Sequence, residues 1–356
     1  MTTIHNPRYH KQMLFSGIGQ TGQQALRDSS VLLVGCGALG CVVADALTRA
    51  GVGRIRIVDR DFVELSNLQR QMLFDEQDVT EHLPKAIAAA RRLRQINSDV
   101  IIDPVVADAD CNSLPGLASE ASLLLDGTDN FEIRYLLNDL SLETGKPWIF
   151  TGCTGSHGQV MPVLPGRTAC LRCLLPSPPP PGSVETCDTA GVLGPAVSVA
   201  AALQAALALK ILTGHTAEIT GQLSVIDVWT GAMRQVDTTA LKNAATCPAC
   251  CHGERLWLNG THRAASTVLC GRNAVQITPP EPLQRTLPEL ARQLQNSGQI
   301  TLNKFLLRLQ LQNPEKDSDL RETGMELTIF PDGRAIIRGT SDPVVARSLY
   351  SRYIGG

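Results

Sequence analysis

The residues Val31-Leu-Leu-Val-Gly-Cys-Gly-Ala-Leu-Gly40 are the clearest indication of the fold in this sequence. A short apolar run ends in glycine and enters the spacing G-x-G-x-x-G, which is typical of a turn between a buried strand and a helix. Gly35 permits the tight turn, and Gly37 lets backbone N–H groups approach a phosphate at the helix start. The helix is predicted to continue to Ala50 and to stop at Gly51.

The same alternation of strand and helix continues after this turn. Further strands are predicted at 54–58, 101–102, 123–125, 148–150 and 223–228, and helices at 83–96 and 131–143. This pattern predicts an α/β fold, a Rossmann-like and mostly parallel sheet with flanking helices, over residues 1–253. The apolar stretch 192–212 is interrupted by polar residues such as Gln204 and Lys210, which favours a buried or subunit-contact helix over a membrane span.

Residues 254–356 predict a separate, small α+β domain. Two apolar runs at 327–330 and 335–337 flank Asp332-Gly333, which is a hairpin signal, and helices are predicted at 287–294 and 343–350. The run 305–311 fits a strand or a helix. The segment is short for a sulfur-donating rhodanese domain, so a module that binds a carrier or another partner is the preferred interpretation. The final Gly355-Gly356 is interpreted as a frayed end.

The composition excludes several classes of protein. The chain has 356 residues, a net charge of −2 and only 4% aromatic residues, so neither nucleic acid nor an anionic membrane is an expected partner. Its eleven cysteines follow no apolar N-terminal signal segment. A cytoplasmic chain whose cysteines bind metal or take part in chemistry is therefore predicted, not a disulfide-bonded one.

The residues after the second strand distinguish between nucleotides. The glycine turn alone suits NAD, FAD or ATP, and Asp59 stands where an acidic residue accepts ribose hydroxyls. In Ser66-Asn-Leu-Gln-Arg-Gln71, however, Asn67 and Arg70 are not needed by a nicotinamide-binding protein. Arginine clamps phosphate through two hydrogen bonds, and Lys85 begins a helix where a cation can meet the α-phosphate. A triphosphate is the predicted ligand.

Asp126-Gly-Thr-Asp-Asn130 follows the strand at 123–125. Ligands of open α/β sheets gather at the carboxyl ends of the strands. Asp129 is therefore a candidate Mg²⁺ ligand, since Mg²⁺ prefers one or two carboxylates together with phosphate oxygens. Asp129 could also be the N-cap of the following helix.

Two Cys-x-x-Cys pairs predict a metal site. Cys170 and Cys173 form the first pair, and Cys247 and Cys250 form the second. Four thiolates make a closed tetrahedral site that zinc commonly fills, and such a site has no open position for catalysis. Cys251 could compete with Cys250 as a ligand.

The combined motifs resemble the MoeB/ThiF family, the bacterial relatives of ubiquitin-activating enzymes. The resemblance rests on the glycine turn, Lys85 and the two cysteine pairs, and on the stretches Arg8-Tyr-His-Lys-Gln12, Asp59-Arg-Asp61, Ser66 to Gln71, Asp126 to Asn130 and Cys187-Asp-Thr-Ala-Gly-Val-Leu-Gly-Pro195. Together these motifs span most of residues 7 to 253.

The resemblance implies a homodimer with one ATP site per subunit. The family adenylates the C-terminal glycine of a small ubiquitin-like carrier that ends in Gly-Gly, with release of pyrophosphate. By the same resemblance Asp59 holds the ribose, Asn67, Arg70 and Lys85 contact phosphates, and Asp129 binds Mg²⁺. The full set of nucleotide-binding candidates is Gly35, Gly37, Gly40, Asp59, Asp61, Ser66, Asn67, Arg70, Gln71, Lys85, Asp129 and Asn130.

Two positions need separate treatment. The family's N-terminal motif usually carries two arginines, the second of which reaches into the partner's site. Here Arg8 is present, but the second position is Lys11, which keeps the charge and loses the planar fork.

Cys187 occupies the position that in ThiF-like members bonds covalently to the activated carrier, whereas MoeB-like members mainly adenylate. Cys187 is thus either a chemical participant, through a thioester or an acyl disulfide with the carrier, or an inherited or redox-exposed thiol.

Other functions remain open from sequence. The activated carboxylate could belong to a small molecule, a peptide or a tRNA-borne group, or the chain could be a non-catalytic dimer partner. A nicotinamide oxidoreductase would explain neither Arg70 nor the cysteine pairs.

Overall fold

The computed structural model describes residues 7–179, 189–261, 266–269, 273–279, 283, 285–311 and 325–354. The chain divides into two compact units, Met1–His262 and Arg263–Gly356. Cys187, Cys270 and Gly355-Gly356 lie outside the described residues.

The first unit is built on an eight-stranded sheet. Its strand order is β3-β2-β1-β4-β5-β6-β7-β8. The pairs from β3 to β5 are parallel and the pairs from β5 to β8 are antiparallel. The strands are β1 Ser30–Val34, β2 Arg54–Val58, β3 Ile101–Val105, β4 Leu123–Asp126, β5 Trp148–Thr154, β6 His157–Val163, β7 Gln222–Asp227 and β8 Ala232–Asp237. The chain's direction of winding reverses between β1 and β4, and such a switch point opens a crevice at the carboxyl ends of the strands.

Helices cover both faces of this sheet. They are α1 His10–Met13, α2 Gly19–Arg27, α3 Ala38–Ala50, α4 Glu76–Thr80, α5 Lys85–Ile96, α6 Leu114–Leu117, α7 Phe131–Thr144, α8 Leu171–Leu174, α9 Gly194–Leu212 and α10 Thr239–Asn243. Successive residues of β1 enter different cores: Leu33 packs on the side of α3, α5 and α9, and Leu32 packs on the side of α7. The α/β fold with a mostly parallel sheet and flanking helices, predicted from the sequence, is confirmed.

Helix α9 is long and apolar enough to cross a membrane by length and composition alone. It packs against α3, β5 and β6, however, and Gln204 on it is fully buried. The Gln204 amide donates to the carbonyl oxygens of Asp126 and Ile149 at 2.9 and 3.4 Å. The helix therefore belongs to the core of the first unit.

The second unit has a six-stranded sheet of order β11-β12-β13-β14-β10-β9, all of whose pairs are antiparallel. The strands are β9 Ser266–Leu269, β10 Ala274–Ile277, β11 Gly298–Leu302, β12 Leu307–Leu311, β13 Glu326–Ile329 and β14 Ala335–Arg338, with helices α11 Leu287–Leu294 and α12 Pro343–Tyr353. The predicted hairpin is present with Ile329 opposite Ala335, and the run that fitted a strand or a helix is a strand. Tyr350 of α12 donates its hydroxyl to the turn residue Gly333 at 2.7 Å.

Candidate nucleotide and metal sites

The turn between β1 and α3 contains two glycines, Gly35 and Gly40, that no other residue could replace without movement. Gly35 has a φ of +86°, and a Cβ there would lie 2.8 Å from backbone atoms of Gly127. A Cβ on Gly40 would lie 2.1 Å from the Gly35 carbonyl oxygen. At Gly37 the nearest heavy atom would be 3.8 Å away, which leaves space at the helix start. The turn therefore fits a phosphate group at the positive end of the α3 dipole.

Asp59 is held against this turn at the end of β2. Its Oδ2 accepts from the Cys36 N–H at 2.6 Å, and its Oδ1 accepts from the Asp61 N–H at 2.7 Å. Burial raises the pKa of the Asp59 carboxyl, and the ammonium of Lys85 opposes that rise. The carboxylate retains acceptor capacity beyond these two bonds, as a ribose-binding group requires.

Lys85 begins α5 and is almost entirely buried, with 3% of its surface exposed. Its Nζ lies 3.1 Å from Asp61 Oδ2, and its backbone N–H donates to the Asp61 carbonyl at 2.8 Å. A buried ammonium without a counter-charge would be costly, so Asp61 stabilises the lysine next to the strand ends. Lys85 is thus placed as a fixed cation beside Asp59.

The segment Ser66 to Gln71 begins within a 3₁₀ helix, Leu65–Asn67. Asn67 is buried, and its side-chain oxygen accepts from the Glu64 N–H at 3.2 Å, so part of its polar capacity fixes the segment. Arg70 donates to the Ser66 carbonyl at 2.9 Å. The Gln71 side chain is 3% exposed, and its Oε1 is buried without a hydrogen-bond partner. This oxygen has acceptor capacity left for a ligand group that can donate a hydrogen bond.

The loop after β4 separates the two interpretations of Asp129. Asn130, not Asp129, is the N-cap of α7, because its side chain accepts from the Glu132 N–H at 2.8 Å. The N-cap interpretation of Asp129 is therefore wrong. Asp129 is exposed, which leaves its carboxylate open to a metal ligand role.

Arg60 is a site residue that the sequence did not single out. Its Nη1 lies 3.0 and 3.1 Å from the two carboxylate oxygens of Asp108, and its Nε lies 3.9 Å from Asp61. Burial opposes the charge, but Asp108, Asp61 and Asp129 together raise the pKa of the Arg60 guanidinium. Arg60 therefore offsets the negative charge that gathers at these strand ends, and its position between Asp59 and Asp61 was the only sequence signal.

Arg8 and Lys11 lie away from these residues. Arg8 Nη1 donates to the Ile96 carbonyl at 3.0 Å, at the C-terminal end of α5. Lys85 begins the same helix, so the two ends are about 16 Å apart along its axis. Lys11 is exposed on α1. Neither cation is brought to the nucleotide turn of its own chain.

The four predicted cysteines converge into one cluster. The sulfur atoms of Cys170, Cys173, Cys247 and Cys250 all lie within 4.8 Å of one another. Three of the S–S distances are 3.6, 3.8 and 3.5 Å. A tetrahedral ion with Zn–S bonds of about 2.3 Å requires S–S distances of about 3.8 Å, so the cluster is compatible with zinc.

Residues 191–193, which come shortly after Cys187 in the sequence, are hydrogen-bonded to the turn at the carboxyl end of β5. The N–H of Gly155, in the β5–β6 turn, donates to the Gly191 carbonyl at 2.9 Å, and the Leu193 N–H donates to the Gly155 carbonyl at 2.9 Å. A Cβ on Gly194 would lie 3.4 Å from the Gln69 carbonyl. Residues 191–194 therefore lie beside the segment that carries Arg70.

Comparison with known proteins gives concordant results. The model of the ThiF family matches residues 9–249. The chain is 41% identical over 349 residues to a sulfur carrier protein ThiS adenylyltransferase of Bacillus subtilis, covering 98% of this chain and 99% of the relative. It is 39% identical over 248 residues to a sulfur carrier protein adenylyltransferase of Thermus thermophilus, covering 68% of this chain and 90% of that one. A crystal structure of Escherichia coli MccB with ATP has a TM-score of 0.58 at 23% identity, covering 67% of this chain and 72% of MccB, and shares the fold.

Proposed function

This chain belongs to the ThiF family, and on that premise we propose that it is an adenylyltransferase that uses ATP to activate a ubiquitin-like sulfur carrier of the ThiS or MoaD type. The observation that carries the proposal is the 41% identity to a ThiS adenylyltransferase over 98% of this chain. The concentration of charged and glycine residues at the β1–β4 switch point supports it.

In the proposed reaction the terminal glycine carboxylate of the carrier attacks the α-phosphorus of ATP. The new bond is an acyl-phosphate bond to AMP, and the bond that breaks releases pyrophosphate. A carboxylate is a weak nucleophile beside a polyanion, so catalysis depends on positioning and on cations that offset the charge.

The residues divide this work between the nucleotide's parts. Gly35, Gly37 and Gly40 leave room for phosphate at the α3 N-terminus, and Asp59, backed by Asp61, holds the ribose. The phosphate side is assigned to Asn67, Arg70 and Lys85, and Ser66 and Gln71 are further nucleotide-binding candidates. Asp129, beside Asn130, would hold Mg²⁺, which when bound offsets the phosphate charge.

We also propose that the enzyme is a homodimer. Arg8 lies at the far end of α5 from Lys85, and Gln12, next to Lys11, bonds to Ala50 at the far end of α3 from the glycine turn, which supports a role for both cations at the site of a second subunit. Leu14 and Phe15, which follow them, are 64% and 65% exposed, as residues of a subunit interface are in an isolated chain. A solution mass of one chain by light scattering would contradict this.

The function is tested by ATP–pyrophosphate exchange. The purified protein is incubated with ATP, Mg²⁺ and labelled pyrophosphate, with and without a ThiS-type carrier. We expect exchange that requires the carrier and is lost when the carrier's terminal glycine is deleted, because the carboxylate is then misplaced. Exchange without carrier, or none with any Gly-Gly carrier despite ATP binding, would favour a small-molecule or peptide carboxylate, or a non-catalytic role.

Cys187 is proposed to act after adenylation, by attack of its thiolate on the activated carrier with AMP as the leaving group. Cys187→Ser should therefore keep pyrophosphate exchange within about twofold and lose the thiol-sensitive covalent adduct between chain and carrier. The measurement is gel mobility with and without a reducing thiol, with exposed Cys251→Ser as the matched control. An unchanged adduct in Cys187→Ser would contradict the role.

The unit Arg263–Gly356 is proposed to bind the carrier or another partner. It has a hydrophobic core of its own, and the B. subtilis relative matches 98% of the chain, so the match extends into this unit. A chain that ends after His262 should then keep carrier-independent ATP binding and show a higher KM for the carrier. An unchanged KM would contradict the proposal.

A further inference from the structure

The loop that carries Asp129 is fastened by a buried ion pair that the proposed reaction does not use. Asp126, at the end of β4, is fully buried, and Arg134 on α7 is 7% exposed. Arg134 Nε donates to Asp126 Oδ2 at 3.0 Å. Both charges are removed from water, so the pair requires the further hydrogen bonds that surround it.

The partners in these further hydrogen bonds are Thr128, in the loop after β4, and Thr151, on the neighbouring strand β5. Asp126 Oδ1 accepts from the N–H and the hydroxyl of Thr128 at 2.9 and 2.8 Å. Arg134 Nη2 donates to the carbonyl oxygens of Thr128 and Thr151 at 2.7 and 3.0 Å. The guanidinium also lies 5.5 and 5.3 Å from the ring centres of Phe131 and Phe150. Arg134 thus joins β4, β5 and the first turn of α7.

The same loop is in backbone contact with the nucleotide turn. The Gly127 N–H donates to the Val34 carbonyl at 2.8 Å, and a Cβ on Gly127 would lie 2.2 Å from the Gly35 carbonyl oxygen. In the stretch from Asp126 to Asn130, Asp129 is the one exposed residue. Every neighbour of Asp129 in this stretch is therefore held by the pair, by the turn or by the α7 cap.

We propose that Asp126 and Arg134 are positioning residues that hold the Asp129 carboxylate at a fixed distance from the nucleotide turn and so determine how strongly Mg²⁺ enhances nucleotide binding. This inference rests on the proposed function, since it assigns Asp129 to Mg²⁺. Groups that orient a metal ligand typically change metal affinity about 10- to 100-fold when they are altered.

The test measures binding, not turnover. The affinity of the full-length protein for a non-hydrolysable ATP analogue is determined by calorimetry with Mg²⁺ and with EDTA, and the ratio of the two dissociation constants is the Mg²⁺-dependent gain. Arg134→Lys keeps the charge and loses the fork that reaches three acceptors. We expect it to lower the gain about 10-fold or more and to leave binding in EDTA nearly unchanged.

Two further variants keep the test decisive. Thr128→Val removes one hydroxyl bond to Asp126 without touching the pair and should lower the gain about fivefold. It replaces Arg134→Lys in the test if that variant does not fold. Thr168→Val removes a buried hydroxyl that bonds to Pro162 and Leu164 instead, and should leave the gain unchanged. Folded loop variants with an unaltered gain, or with equal losses in Mg²⁺ and in EDTA, would overturn the inference. No gain in the unaltered chain would instead contradict the role of Asp129.

Discussion

Asp129→Ala is expected to lower carrier-dependent pyrophosphate exchange about 10²- to 10³-fold, in the range found when one group that stabilises transition-state charge is removed. Asp129 is exposed at the carboxyl end of β4, beside a glycine turn that leaves space for phosphate. Loss of the carboxylate removes the candidate Mg²⁺ ligand, whereas Asn130 continues to cap α7, so the fold should survive. Exchange rates at saturating ATP and unfolding temperatures are the two measurements.

Two controls separate chemistry from charge and folding. Asp129→Asn preserves shape and loses the negative charge, so it should be nearly as impaired as Asp129→Ala if a metal is the reason. Asp28→Ala removes another exposed aspartate, at the C-cap of α2. Asp28 comes just before β1, so it lies at the amino ends of the parallel strands, whereas Asp129 lies at their carboxyl ends. This variant should leave exchange unchanged. Retained exchange in both Asp129 variants would remove Asp129 from the mechanism.

Local signals made much of this fold predictable. Gly51 ends α3 with a φ of +81°, as the stop signal after Ala50 predicted, and the bounds of α11 agree with the predicted helix. These features depend on residues that are neighbours in sequence, where capping and periodicity act directly. The apolar strands β1 and β4 were predicted for the same reason, because buried parallel strands are short continuous apolar runs.

The missed elements depend on distant partners. Strand β6, His157–Val163, contains a glycine and a proline and was not predicted, and it exists because β5 and β7 pair with it on both sides. Its first residue, His157, is exposed. Strand propensity is weak compared with such tertiary context.

The candidate site likewise combines features that local sequence predicted with features that depend on distant partners. The residue types and their spacing identified Asp59, Lys85 and Asp129, but not their pairings. Only the fold brings Lys85 within 3.1 Å of Asp61 and places Arg60 against Asp108. The choice between Asp129 and Asn130 as the cap was equally invisible, because both side chains cap helices well and they are adjacent.

Loss of the cysteine cluster should have the largest effect on stability. We expect the purified protein to carry one zinc ion per chain and Cys173→Ser to lose it. The sulfur of Cys173 lies 3.5 Å from that of Cys250 and 3.8 Å from that of Cys170, and Cys170 and Cys247 are buried. Structural zinc contributes more than 10 kcal/mol to folding in small zinc peptides, about 10–16 kcal/mol. This unit has a core of its own, so we expect a smaller loss of about 3–5 kcal/mol, or roughly 10 °C in Tm.

The cluster also predicts how zinc is lost. Without metal, the thiol hydrogen bond to Cys173 raises the pKa of Cys170 to about 12, so zinc must displace protons to bind. Zinc occupancy should therefore fall as pH falls, and Tm should fall with it. Cys251→Ser is the matched control, because Cys251 is exposed and lies 3.8 Å from Cys250 but is not one of the four clustered sulfurs. Metal content and Tm of the two variants decide the matter: full zinc in Cys173→Ser, or its loss in Cys251→Ser, would show that a different set of sulfurs holds the ion.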